Sequence, residues 1–246
     1  MGERFIPRKI HYFWFGGGEK SAKVRKCIDS WKKYCPDYEI IEWNENNYDI
    51  KKHPFMVKAY EDRKWAFVSD YARLDVLYEY GGIYLDTDVE LIKNFDDLLE
   101  NHAYIGFERE DLLGDGQGFG GEKGFPIFKE MMEVYDGLEE YIESPKLRTK
   151  VCLEHGLKPD GSRQTIDGME IYPVDFFCPK NFKTGIVQIT PNTMSIHHFD
   201  ASWYPKSGRK YVYLMRFLNQ TLGEEKGMAA FNRIIAFKDS LKGKNE

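Results

Sequence analysis

The 246-residue sequence predicts one α/β domain on a mostly parallel central sheet. A strand, helix, strand series opens the chain, a long helical pattern runs into a double glycine and a further apolar strand, and 42% hydrophobic residues supply a sizeable core. The expected organisation is a single domain over 1–246, with a ligand-binding half to residue 110 and an elaborated second half from 111. A formal charge of −5 lacks the basic footprint that phosphate-backbone binding leaves, so nucleic acid is excluded as the main partner. The segment MGERFIPRKI has no apolar signal core and no run of about 18 apolar residues follows, so the expected location is cytoplasmic. Cys27, Cys35, Cys152 and Cys178 form no C-x-x-C pair and are expected to be reduced thiols.

Taken in order, Ile10 to Phe15 is an apolar, aromatic strand that stops at Gly16-Gly17-Gly18. Ser21 opens a helix to Tyr34, closed by Cys35-Pro36, and Glu39 to Trp43 is the second strand. Trp65 to Tyr80 is helical and ends at Gly81-Gly82, the first a left-handed cap. Ile83 to Ile92 alternates as one strand, Asp96 to Glu100 is a short helix, and Ala103 to Phe107 is another strand. Gly114 to Gly124 is expected to be a mobile loop. Pro126 starts a helix through Tyr141. The stretch 144–179 is broken by Pro and Gly, Ile186 to Ile189 and Met194 to His198 are expected to be short strands, and two helices close the chain.

The chemistry concentrates in Ile83-Tyr84-Leu85-Asp86-Thr87-Asp88-Val89-Glu90-Leu91. In a strand of period two, Asp86 and Asp88 share one face. Two carboxylates so placed repel, and if they are even partly buried desolvation adds to that repulsion, so that either one holds a proton or a cation sits between them. Mg²⁺ or Mn²⁺ would satisfy both, with positions left for phosphate oxygens. D-x-D alone is common, and two solvated turn residues would give the same pattern. The preceding helix adds Ser69, Asp70 and Arg73 among apolar neighbours, with Asp75 and Glu79 as an exposed stripe. An Asp70–Arg73 pair at i, i+3 is worth only about 0.2–0.5 kcal/mol on a surface. Set into an apolar helix it is expensive for structure alone, whereas a hydroxyl-bearing ligand gives it a purpose.

Together, S-D-x-x-R and L-x-x-x-G-G-I-Y-L-D-x-D resemble the sugar-binding-region glycosyltransferases with a D-x-D motif, the family that includes initiating mannosyltransferases and capsule enzymes. More distantly they are similar to the glucosylating clostridial toxins. Ile6 to Gly17 is similar to the family's first strand, and Ser30-Trp31-Lys32-Lys33-Tyr34 with Pro36-Asp37-Tyr38 follows as it does there. The resemblance covers about the first half of the chain. It implies a GT-A fold and a nucleotide diphosphate sugar, UDP-linked by preference, as donor. It further implies that Phe13 and Trp14 meet the nucleotide base, that Asp70 and Arg73 hold the donor sugar, and that Asp86 and Asp88 hold the metal and through it the diphosphate. Late in the chain, Ser195 to Trp203 resembles the family's H-x-[WF]…S-W element. His197 is the expected third metal ligand with His198 in reserve, and Trp203 would cover the diphosphate. Gln117 stands where relatives often carry an Asn-containing segment. Retention of anomeric configuration, a glycan acceptor and a role in surface polysaccharide synthesis are further implications.

His11, His53, His102 and His155 are expected to be structural. One rival is a haloacid-dehalogenase-like phosphatase with Asp86 as nucleophile and Asp88 as acid/base, though no convincing late acidic pair follows. Another is a binding module without turnover. The segment Phe231 to Lys242 is expected to pack on the parent domain, and peripheral contact with a membrane carrying a lipid-linked acceptor is a second expectation.

Overall fold

The protein is described by a computed structural model that covers residues 3–199 and 206–242. Strand β1 (Lys9–Phe13), helix α1 (Ala22–Tyr34) and strand β2 (Glu39–Trp43) form a parallel unit in which Lys9 stands opposite Glu39 and Phe13 opposite Trp43. The Ser21 side chain caps α1 by accepting from the Val24 N–H, and Val24, Cys27, Ile28 and Trp31 form its buried face at helical spacing. Then come α2 (Pro54–Glu61), α3 (Trp65–Tyr80), β3 (Gly82–Tyr84), β4 (Val89–Leu91), β5 (Ala103–Arg109), β6 (Leu112–Gly114) and β7 (Phe119–Gly121). Helices α4 (Pro126–Glu133) and α5 (Ser144–Glu154), strands β8 (Gln164–Ile166) and β9 (Met169–Tyr172), helix α6 (Val174–Phe177), strand β10 (Ser195–His197) and helices α7 (Lys206–Leu222) and α8 (Glu224–Lys242) complete the series.

The main sheet has the order β2-β1-β3-β7-β5-β9-β8, with β6 on β5. It is mixed: β1, β2, β3, β5 and β9 run one way, and β6, β7 and β8 run the other. Its two faces are read directly from the core. Ile10, Tyr12, Ile83, Leu85 and Tyr104 join one buried cluster with α1, while Phe13, Tyr84, Ala103, Ile105 and Phe107 join the other with α2 to α5. Neighbours in sequence thus alternate between two apolar layers, as a sheet covered on both sides requires.

The expected single strand from Ile83 to Ile92 is broken. It leaves the main sheet after Tyr84, turns through Asp86 to Asp88, and resumes as β4, which pairs with β10 in a separate antiparallel sheet. The Asp86 N–H donates to Gly116 O at 2.9 Å and the Val89 N–H to Asp86 O at 3.0 Å, so the turn has its own bonding. Nor is the glycine-rich stretch a loose cover. Residues 113–121 are buried and β7 inserts antiparallel between β3 and β5. A Cβ at Gly120 would fall 2.6 Å from Gly82 O, and one at Gly121 2.6 Å from the Phe128 ring, so these glycines serve close packing. Helix α4 ends at Glu133, short of Tyr141, with Gly137 left-handed just beyond it. At Ile186 to Ile189 the structure has a lone bridge, Lys180 to Val187, instead of a strand. Asp75 is not part of an exposed stripe, because it accepts from Lys52 Nζ at 2.7 Å and Tyr48 OH at 2.8 Å.

Two compact units result: Met1–Pro179 with Ile189–His198, and Lys180–Gln188 with Phe199–Glu246. Both sheets belong to the first. The second holds α7 and α8, where Asn219 Nδ2 donates to Lys183 O at 2.9 Å. Among the described residues no helix is long and apolar enough to cross a membrane.

Candidate functional site

Parallel β1 and β3 end side by side, tied by the Leu85 N–H donating to His11 O at 3.1 Å. Trp14 therefore leaves β1, and Asp86 leaves β3, at the same carboxyl edge of the sheet. That edge is where open α/β sheets bind ligands. One ligand atom from each of Asp86, Asp88 and His197 lies within 4.8 Å of the others. His197 arrives from β10, whose pairing with β4 sets it opposite Val89, and its Nε2 is 3.2 Å from Asp88 Oδ1. Although burial opposes protonation of His197, the Asp88 carboxylate holds the imidazole's pKa well above its ordinary value. Asp86 is fixed from two sides. Tyr84 OH donates to its Oδ1 at 2.7 Å, and Gly116 lies so close that a Cβ there would fall 2.1 Å from its Oδ2. Two carboxylates and an imidazole suit a divalent ion, and the nitrogen donor suits Mn²⁺ better than the harder Mg²⁺.

Behind this cluster lies a buried ionic network. Arg73 Nη2 approaches Asp70 Oδ1 at 3.0 Å and Asp86 Oδ1 at 3.4 Å, its Nη1 donates to Asp115 Oδ1 at 3.0 Å, and its Nε to Ser69 O at 3.1 Å. Asp115 in turn accepts from Ser144 Oγ and from Arg148 Nε, both at 2.8 Å. Arg148 Nη2 donates to Asp70 O at 2.6 Å and to Tyr135 OH at 3.1 Å. Arg148 is 0% and Asp115 1% exposed, so neither charge is solvated by water. Burial pushes the Asp70 carboxyl up beyond what Arg73 restores. Asp115 is also desolvated, but two arginines and the Ser144 hydroxyl hold it below the ordinary carboxylate range.

Of the residues expected from sequence, the structure brings together Asp70, Arg73, Asp86, Asp88 and His197. His198 is turned away: its Nε2 is 2.9 Å from Glu90 Oε2, outside the cluster. Phe13 is packed in the core against Phe15, Tyr48 and Trp43, 6% exposed. Trp14 is half-buried, donates to Gly18 O at 2.6 Å, and has Lys20 Nζ 5.3 Å from its ring. Gln117 is buried and donates to Gly106 O and Phe107 O. Trp203 lies outside the described residues. The four remaining histidines all have structural partners, among them His53, whose Nδ1 accepts from Phe55 N–H at the start of α2. Sequence reasoning missed Asp115 and Arg148. An aspartate amid buried glycines was the available signal for the first, and nothing local marked the second.

Over 107 residues the chain is 33% identical to inositol phosphoceramide mannosyltransferase 3 of Schizosaccharomyces pombe, which is 41% of this chain and 29% of that protein. It is 29% identical over 134 residues to subversion of eukaryotic traffic protein A of Legionella pneumophila, 43% of this chain and 20% of that protein. The chain thus spans no more than about a third of the length of these curated relatives. Among solved structures it is similar to the PaToxG glycosyltransferase, with a TM-score of 0.49 and 20% identity over 61% of this chain and 68% of that one. The part of the chain that carries Asp70, Arg73, Asp86 and Asp88, residues 21–105, matches the family described as glycosyltransferase sugar-binding region containing DXD motif.

Proposed function

We propose that the protein is a metal-dependent glycosyltransferase of GT-A type that moves a hexose from a nucleotide diphosphate sugar, UDP-linked by preference, to a glycan acceptor in surface polysaccharide synthesis. The observation that carries this reading is the convergence of Asp86, Asp88 and His197 beside a buried arginine that also meets Asp70. Asp86, Asp88 and His197 would hold Mn²⁺ or Mg²⁺, which when bound neutralises charge developing on the departing diphosphate. Arg73 is held by carboxylates on two sides, which aims its guanidinium and keeps it charged. Asp70 shares that arginine and offers its other oxygen to sugar hydroxyls. Trp14, at the same sheet edge, offers an aromatic face to a base. Retention of configuration would follow the family.

A phosphatase using Asp86 as nucleophile needs a lysine and a further acidic pair beside it. Among the described residues the side chains that bond to or pair with Asp86 are those of Tyr84 and Arg73, and no lysine pairs with it, which favours the transferase. A lipid-linked acceptor and peripheral contact with an anionic membrane complete the reading. They are supported by exposed Tyr213 and Phe217 on α7 and Ile234 and Phe237 on α8.

The test is nucleotide-sugar hydrolysis and transfer by the wild type and Asp88→Asn, with and without Mn²⁺. The wild type should release the nucleoside diphosphate only with metal. The variant should lose about a hundredfold or more in rate, at an unchanged melting temperature. Chelator-insensitive turnover by the wild type, or full activity of the variant, would remove the metal role.

A further inference from the structure

Glu108 is the acidic residue of the site region to which nothing above gives a task. It stands near the end of β5, where the pairing with β6 slips. Phe107 faces Leu113 and Arg109 faces Leu112, which leaves Glu108 as the extra, bulged residue. Bulges re-aim side chains and are over-represented beside active sites. This one turns Glu108 over Gly114, where a Cβ would come 3.0 Å from the Glu108 Cβ and 2.8 Å from Gln117 Oε1. The side chain is half-buried, and the charges acting on it are those of His197, Arg109, Asp115 and Glu143. His197 belongs to the metal cluster, and Asp115 is joined through Gly116 to the backbone that covers Asp86. Among the described residues Glu108 makes no hydrogen bond and no ion pair. Desolvation raises its pKa, the mark of a carboxyl that lacks partners. A second acceptor atom in the same place is also unmet, because Gln117 Oε1 is buried without a hydrogen-bond partner while its Nε2 is held by two backbone carbonyls.

A half-buried carboxylate and a buried amide oxygen without donors, flanking one glycine beside a cluster that would hold the donor, form a site lacking hydroxyls. We propose that Glu108, backed by Gln117, is the acceptor-binding residue of the enzyme, its carboxylate accepting a hydrogen bond from a hydroxyl of the acceptor hexoside next to the one that attacks. The assignment rests on the glycosyltransferase reading. It places Glu108 on the acceptor side, so it neither holds the metal nor takes part in breaking the bond to the diphosphate.

The experiment measures release of nucleoside diphosphate from the nucleotide sugars that the wild type hydrolyses, first in water alone and then with a series of methyl hexosides, for the wild type and Glu108→Gln. The Glu108 carboxylate makes no hydrogen bond or ion pair among the described residues, so the amide variant should be folded, with the melting temperature as check. In the wild type one or more hexosides should yield a glycoside product. In Glu108→Gln, hydrolysis in water and the Mn²⁺ requirement should be unchanged, while the hexoside concentration for half-maximal transfer rises about tenfold or more, the worth of a hydrogen bond to a charged group. Equal half-saturation in the two proteins overturns the assignment. So does a changed Mn²⁺ affinity or hydrolysis rate, which would move Glu108 to the donor side, and so does a wild type that hydrolyses the donor but accepts no hexoside. A wild type that hydrolyses no nucleotide sugar overturns the glycosyltransferase reading itself.

Discussion

Arg148 carries a full charge with no exposed surface, and its partner Asp115 is equally enclosed. Desolvating such a pair costs several kcal/mol per ion, so the network is a poor device for stability taken alone. Its effect is local: Asp115 cannot shift without unseating Arg73, and the Arg148 guanidinium holds Asp70 by its backbone carbonyl. Removing one member leaves the other charge buried. Arg148→Met is therefore expected to destabilise the protein by about 3–5 kcal/mol, and Asp115→Asn by a similar amount. The double variant should fall short of the sum by about 1–3 kcal/mol. Urea denaturation of the four proteins measures this, and strict additivity would show that the two side chains do not act as one unit. The Asp70–Arg73 half of the network was legible from i, i+3 spacing within one helix. The Asp115–Arg148 half was not, because its members lie 33 residues apart on elements with no shared periodicity.

At the level of elements, the opening β1-α1-β2 series and helix α3 follow the sequence pattern closely, since apolar spacing and a serine cap decide them locally. The D-x-D segment differs from its pattern. Alternation placed both aspartates on one strand face, but they meet through a turn, and the partners that enforce the turn, Gly116 and β10, come from remote parts of the chain. The glycine-rich stretch misled for the same reason: glycine frequency marks loops and close packing alike, and only the neighbours Gly82 and Phe128 distinguish them. His11 ties β1 to the end of α3. Its Nδ1 is 3.0 Å from Trp43 Nε1, which can only donate, so the proton sits on Nε2 and is donated to Gly81 O at 2.9 Å. Burial lowers its pKa to about 4, partly opposed by that carbonyl. The unfolded chain, with an ordinary histidine near 6.5, takes up the proton first as pH falls. The contribution of His11 to stability is therefore full above about 6.5 and declines below it, and its loss is complete below about 4, amounting to roughly 3 kcal/mol. Denaturation midpoints between pH 7 and pH 4 should fall for the wild type and show a shallower slope in His11→Gln. An unchanged slope would place the acid sensitivity elsewhere.

At the scale of the whole molecule, charge is unevenly divided. Residues 180–188 and 199–246 carry eleven basic and five acidic side chains, a net +6, within a chain of net −5. On α7, Lys210, Tyr213 and Phe217 are exposed at helical spacing, and on α8 Arg233, Ile234 and Phe237 are exposed together. Exposed aromatic groups rimmed by lysine and arginine suit an interface of anionic headgroups, which attract the charge while the rings enter the acyl boundary. Each buried phenylalanine side chain is worth about 1.5–3 kcal/mol. Changing Phe217 and Phe237 to serine should therefore weaken partition onto phosphatidylserine-containing vesicles by at least about tenfold, while hydrolysis of soluble donor is untouched. Binding of the wild type should also decline as salt rises, since each lysine or arginine near the surface contributes about 1 kcal/mol that is screened within a Debye length. Vesicle sedimentation of both proteins across a salt series reads both effects. Partition that ignores salt and survives the double substitution would leave this surface without a lipid role, and would do so without disturbing the assignment of the metal cluster.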